Sequence, residues 1–247
     1  MVLRHLRLAT NVHGLHKPVT KSTAVVIAVC LLLLVVPKTD AESLSEYLWN
    51  QTESIRNNAL STYFVQGIGN GTLNPTAFGS YMIQDSVYIY NAKRSIDSAV
   101  YRAPEGKLKE FLRGKSASFE RYYHALFKKW HIKDPADIKV CAACQSYADY
   151  EHQIAATEDT IYMIVAMLPC YKLWPWLGQQ LQSANHGVYD DWFNSNFDPQ
   201  YEGYKALDAL VDAADVKQTI SRNKALEVYT RCMLGEYEFF DSVQETQ

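Results

Sequence analysis

The chain has 247 residues, 48% of them hydrophobic and 21% charged, enough to bury one sizeable core and unlike disordered, collagenous or coiled-coil sequences. Eleven Gly and eight Pro are too few for a loop-rich or low-complexity protein. The net charge of −3 is unevenly spread: residues 1–41 hold five basic residues against one acidic, leaving 19 basic and 26 acidic residues beyond them, a balance that argues against a nucleic-acid partner.

A basic stretch ends at Lys21, and Ala24 to Val36 then runs thirteen residues without a charge before Pro37. That is short of the ~20 residues of a membrane-spanning helix and fits the apolar core of a secretory signal. Thr39-Asp40-Ala41 sets small residues at the −3 and −1 positions of a cleavage site. Residues 1–41 therefore read as a signal peptide, with the mature, secreted chain starting at Glu42. An uncleaved signal anchor is one alternative. A mitochondrial presequence is another, against which the unbroken Leu/Val run speaks. Asn50-Gln-Thr and Asn70-Gly-Thr match the glycosylation pattern expected of such a chain.

Beyond Glu42, helical starts recur and β-type alternation is nearly absent, which predicts an all-α fold, a single compact multi-helix bundle over residues 42–247. About seven helices are expected. The first runs near Ser43 to Asn58. Asn74-Pro75 supplies an N-cap and a first-turn proline for a helix towards Arg94, and a third spans about Lys107 to Trp130. Asp134-Pro135 repeats the device ahead of Tyr147 and Tyr150. Thr157 can cap a helix through Ile161, Val165, Leu168, Leu173 and Leu177, bent at Pro169 and ended by the Asn185-His186-Gly187 turn. Two more cover Tyr201 to Ala213 and Thr219 to Val243.

Several polar residues fall on the apolar stripes of these helices. Asp85 points the way Phe78 and Tyr81 point, with Tyr88 one turn on, and a carboxylate there must find a partner. Glu236 sits four residues after Cys232 and three before Phe239, which makes it a candidate for a raised pKa. Tyr147 and Tyr150 bring phenols to the same kind of face, and Cys170 follows Leu168-Pro169, where a bend can open a cavity. Cys141-Ala-Ala-Cys144 has the spacing of a zinc or redox pair but no second pair to complete it, so buried thiols are expected, with a short-range disulfide as the alternative. His124, His131, His152 and His186 form no HExxH and no paired ExxH, so no metal site is expected. Gly67 to Gly71 lacks the strand and the Gly-Lys-Ser/Thr of a phosphate loop. Trp174-Pro175-Trp176 reads as packing.

Phe64 to Leu73, Phe78 to Tyr81, Gln84-Asp85-Ser-Val-Tyr88, Leu168-Pro-Cys170 and Glu236 to Asp241 together resemble the thiaminase II (TenA) family, in that family's order along the chain. The resemblance implies a haem-oxygenase-like all-α fold, a homotetramer, and hydrolysis of thiamin-related aminopyrimidines without metal or cofactor. It assigns Cys170 as nucleophile and Glu236 as the acid that moves protons. It gives Asp85 the reading of the aminopyrimidine ring, makes Tyr88 the aromatic one turn on, and matches Tyr147 to the substrate-binding tyrosine that lies ahead of the nucleophile. The family's Trp-Ile-x-x-Tyr pattern appears here as Trp192 to Phe197, with Asn196 at the second active-site tyrosine. A small-molecule pyrimidine is thus the expected partner, with conversion of aminomethylpyrimidine or thiamin to hydroxymethylpyrimidine as the expected reaction. A non-catalytic, secreted pyrimidine-binding protein on the same scaffold is the rival reading.

Overall fold

The computed structural model describes residues 42–243, so the signal-peptide reading falls on residues outside those described. Among the described residues there are ten α-helices and no strand. The start of the bundle is three short helices rather than one long one: α1 (Leu44–Gln51), α2 (Glu53–Leu60) and α3 (Tyr63–Gly69). The break between α1 and α2 falls at Thr52, whose hydroxyl donates back to the carbonyls of Leu48 and Trp49 and competes with the helical ladder. Arg56 lies across the same corner, its guanidinium stacked on Trp49 at 3.8 Å.

The long helix α4 (Pro75–Arg102) begins as the Asn74-Pro75 pair predicts, with the Asn74 side chain accepting from Thr76 N–H at 2.8 Å. It packs against α5 (Lys107–Lys129) and α6 (Ala142–Thr157). The start of α6 differs from expectation. Asp134 does cap Pro135, yet only a single 3-10 turn follows, Pro135–Asp137, and α6 opens seven residues later on Cys141, whose sulfur accepts from Cys144 N–H at 3.4 Å. Thr157 closes α6 instead of opening the next helix.

Helix α7 (Ile161–Leu181) is apolar on almost every side, the pattern of a helix surrounded by others, and carries Pro169 and Pro175 in its interior. It packs against α6, α8 (Asp190–Asn196), α9 (Tyr204–Val216) and α10 (Arg222–Asp241). Gly178 is where α7 meets the backbone of Phe197, so closely that any side chain at that position would collide with the carbonyl. Helix α10, capped by Ser221, runs beside α2, α6 and α7, and buries Cys232, Glu236, Phe239 and Phe240 on one stripe. The four cysteines in the described residues are free thiols; Cys144 and Cys232 are buried as expected, whereas Cys141 and Cys170 are partly exposed.

Candidate active site

Helical periodicity turns short sequence intervals into one wall. Asp85 and Tyr88 on α4, Glu151 on α6, Cys170 and Trp174 on α7, and Glu236 and Phe239 on α10 all line one cavity, with Phe119 of α5 closing it. The cavity holds about 610 Å³ of empty space including its mouth. Apart from the acids and Cys170 its lining is aromatic and aliphatic, which suits a flat heterocycle with a few hydrogen-bonding groups.

Glu236 is the centre of the polar network and is only 3% exposed. Its Oε1 accepts from the Tyr147 hydroxyl at 2.9 Å, and its Oε2 accepts from the Trp174 indole N–H at 2.9 Å. The Cys170 thiol is a third hydrogen-bonding neighbour. Burial raises the Glu236 pKa from its ordinary value, and these three donors oppose the rise. Asp85 has its pKa raised to about 7, first by burial and then by the charge of Glu236. Burial likewise raises Glu151 to about 8, with a smaller push from Glu236, while the Tyr88 phenol as hydrogen-bonding neighbour works the other way. Asp85 and Glu151, whose ionisation the charge of Glu236 disfavours, therefore hold protons near neutral pH.

Cys170 is half-buried, and its thiol titrates well above the usual range because burial and the nearby Glu236, Glu151 and Asp85 all disfavour a second negative charge. It is a protonated thiol beside a base, not a standing thiolate. Tyr88 and Tyr147 stack at 4.9 Å, and Tyr147 lies over Gly235, where a Cβ would come within 2.6 Å of its ring. A glycine is thus what lets the phenol reach the neighbouring Glu236 across α6 and α10.

Of the residues singled out in the sequence, Asp85, Tyr88, Cys170 and Glu236 line the cavity together, and Tyr147 joins them through Glu236. Asn196 does not. Its short side chain turns back onto α8, donating to the Trp192 carbonyl at 2.8 Å, and it borders a separate cleft with Met82, Tyr122 and Lys129. Glu151 and Trp174 were not anticipated in these roles, though each stands four residues after a recognised one, Tyr147 and Cys170 respectively. That interval was the available signal. Trp174, expected to pack, supplies a donor to the central acid.

An all-α bundle that gathers a thiol and three buried acids around one cavity is a scaffold for handling a small, polar, flat ligand. Residues 49–246 match the TENA/THI-4/PQQC family model, and the chain belongs to that family. It is 27% identical over 206 residues to the thiamine biosynthesis multifunctional protein ThiED of Corynebacterium efficiens, covering 78% of this chain and 27% of that protein. The chain thus spans about a quarter of the length of that multifunctional relative. It is 25% identical over 219 residues to the aminopyrimidine aminohydrolase of Helicobacter pylori, covering 82% of this chain and 99% of the other. A TenA homologue from Pyrococcus furiosus superposes with a TM-score of 0.69 over 81% of this chain and all of its own, at 18% identity, and shares the haem-oxygenase-like all-α fold.

Proposed function

We propose that the protein is a cofactor-independent hydrolase that converts an aminomethylpyrimidine, or thiamin itself, to hydroxymethylpyrimidine, with Cys170 as nucleophile and Glu236 as proton carrier. The observation that carries this reading is the contact between the Cys170 thiol and Glu236 inside a cavity that also presents Asp85. The names of the full-length Helicobacter pylori relative and of ThiED support the substrate class.

The chemistry balances with these residues alone. The Cys170 sulfur adds to the electron-poor ring carbon beside a ring nitrogen, while its proton passes through Glu236 to that nitrogen. The carbon–nitrogen bond of the aminomethyl arm then breaks, and its ammonium leaves as ammonia. The ring-nitrogen proton returns to Glu236 and on to the ammonia, leaving an exocyclic methylene. Water adds to the methylene carbon, and its proton goes to the departing sulfur. One water is consumed, and one hydroxymethylpyrimidine and one ammonium are formed. Asp85, protonated near neutral pH, can present both a donor and an acceptor to a ring nitrogen and its amino neighbour.

The test is to incubate the purified protein with aminomethylpyrimidine and with thiamin and follow the product chromatographically. Cys170→Ser should lower turnover by about two orders of magnitude or more while ligand binding persists. Near-normal turnover in that variant removes Cys170 from the mechanism. A non-catalytic pyrimidine-binding protein is the second reading, favoured by the high titration of the Cys170 thiol, and absence of turnover with retained affinity would select it. Secretion of a chain starting at Glu42 and assembly as a homotetramer belong to the same proposal, the first from the composition of residues 1–41, the second from the family resemblance.

A further inference from the structure

The mechanism above employs Cys170, Glu236 and Asp85 and leaves one cavity acid idle. Glu151 is 2% exposed and borders the cavity, and its Oε2 has no hydrogen-bond partner among the described residues. A buried carboxyl oxygen left in that condition costs free energy unless something else supplies a donor. Glu236 does not fill that place, since it acts on Glu151 through charge and not through a hydrogen bond. No Lys, Arg or His lines the cavity among the described residues. The groups that face Glu151 are the Tyr88 phenol from α4, Cys144 and Tyr147 on its own helix, Cys170 from α7, and Cys232 and Glu236 from α10, and none is a cation.

We propose that Glu151 is a specificity-determining residue, whose free Oε2 accepts a hydrogen bond from a cationic N–H group of the ligand, an ammonium of the aminomethyl kind, so that the cavity selects a cationic ligand over a neutral one of the same shape. This rests on the pyrimidine reading above. A charged arm entering an aromatic-lined cavity loses its hydration and needs a counter-charge, and a carboxylate supplies a charge-assisted bond that a hydroxymethyl arm cannot match. Burial and the charge of Glu236 keep Glu151 protonated at neutral pH, its pKa standing at about 8. An arriving cation favours the ionised form, so the ammonium ligand expels a proton on binding and the neutral ligand does not.

The experiment is titration calorimetry of aminomethylpyrimidine and hydroxymethylpyrimidine at pH 7, in buffers of differing protonation enthalpy. It is run on the Cys170→Ser protein so that the amine is not consumed. The amine should bind more tightly, with net proton release. Adding Glu151→Gln, which keeps an acceptor for Tyr88, should cost about tenfold or more in amine affinity and abolish the proton release, with hydroxymethylpyrimidine affinity held within about threefold. Unchanged amine affinity overturns the proposal. So do equal losses for both ligands, or no binding of either. Glu151→Leu keeps the test readable against a packing role: removing a buried acid with one orphaned oxygen should leave the melting temperature at pH 8 no lower than before. A lower melting temperature with equal affinity losses would reduce Glu151 to a structural residue. If parent protein with Cys170 intact binds both ligands selectively but hydrolyses neither, the hydrolase reading falls while the selectivity read from affinity stands.

Discussion

Glu236 illustrates how a single side chain is tuned by what it touches. Burial alone would leave it a neutral, inert acid, and the Trp174 and Tyr147 donors pull it back towards a form that can accept a proton from Cys170. Trp174→Phe keeps an aromatic ring and removes one of these donors, so Glu236 should titrate higher, and the inflection it governs in the pH–rate profile should move to higher pH. A profile unchanged from the parent protein would take Trp174 out of the tuning. Glu236→Gln keeps the shape and removes the proton, and should suppress turnover by about two orders of magnitude. Glu238, two residues on, points to the surface, where Arg231 pairs with it at 3.0 Å, and Glu238→Gln should change turnover by no more than a few-fold. The reverse ranking in a kinetic assay would put the wrong carboxylate in the mechanism.

At the scale of elements, the meeting of α6 and α10 depends on Gly235, which leaves space for the Tyr147 ring. Gly235→Ala should cost about 1–3 kcal/mol in denaturant unfolding through overpacking, and should lower turnover because Tyr147 can no longer hold its distance from Glu236. Full activity in a stable Gly235→Ala protein would show that the ring moves aside at no cost. Helix register was legible in the sequence wherever an apolar stripe ran unbroken: α4, α5 and α10 stand close to where their patterns put them, Asp85 and Glu236 stand out because they interrupt such stripes, and Cys170 stands out because it follows Leu168-Pro169 at a bend. The rest was hidden for specific reasons. The gap at Thr52 comes from one hydroxyl bonding backwards, α6 starts on a cysteine sulfur that no capping preference announces, and Glu151 shares its helix with a solvated acid, Asp149, two residues before it. Asn196 occupies a motif position, yet its side chain is too short to leave its own helix.

For the whole molecule, concentrating Asp85, Glu151 and Glu236 in one interior is a stability cost that depends on pH. Their native pKa values lie above the ~4 of unfolded carboxyls, so the unfolded chain ionises first as pH rises. Stability from these groups is complete below about pH 4, declines through the pKa values of about 7 and 8 for Asp85 and Glu151, and levels off above them. Melting curves should therefore show a fall between pH 5 and pH 8 that Glu151→Gln makes shallower, and an identical slope in the variant would contradict the buried-acid account. Expression in a secretory host should yield protein beginning at or near Glu42, and intact material starting at Met1 would dismiss cleavage. The cavity walls are drawn from α4, α5, α6, α7 and α10, elements spread over most of the chain. A cut in any loop between α4 and α10 divides Cys170 and the three cavity acids between two fragments, neither of which holds a complete set. Partial activity in an isolated half is not to be expected, whereas two halves mixed together regain function only if they reassemble, so turnover doubles as a fragment-complementation readout of the entire bundle.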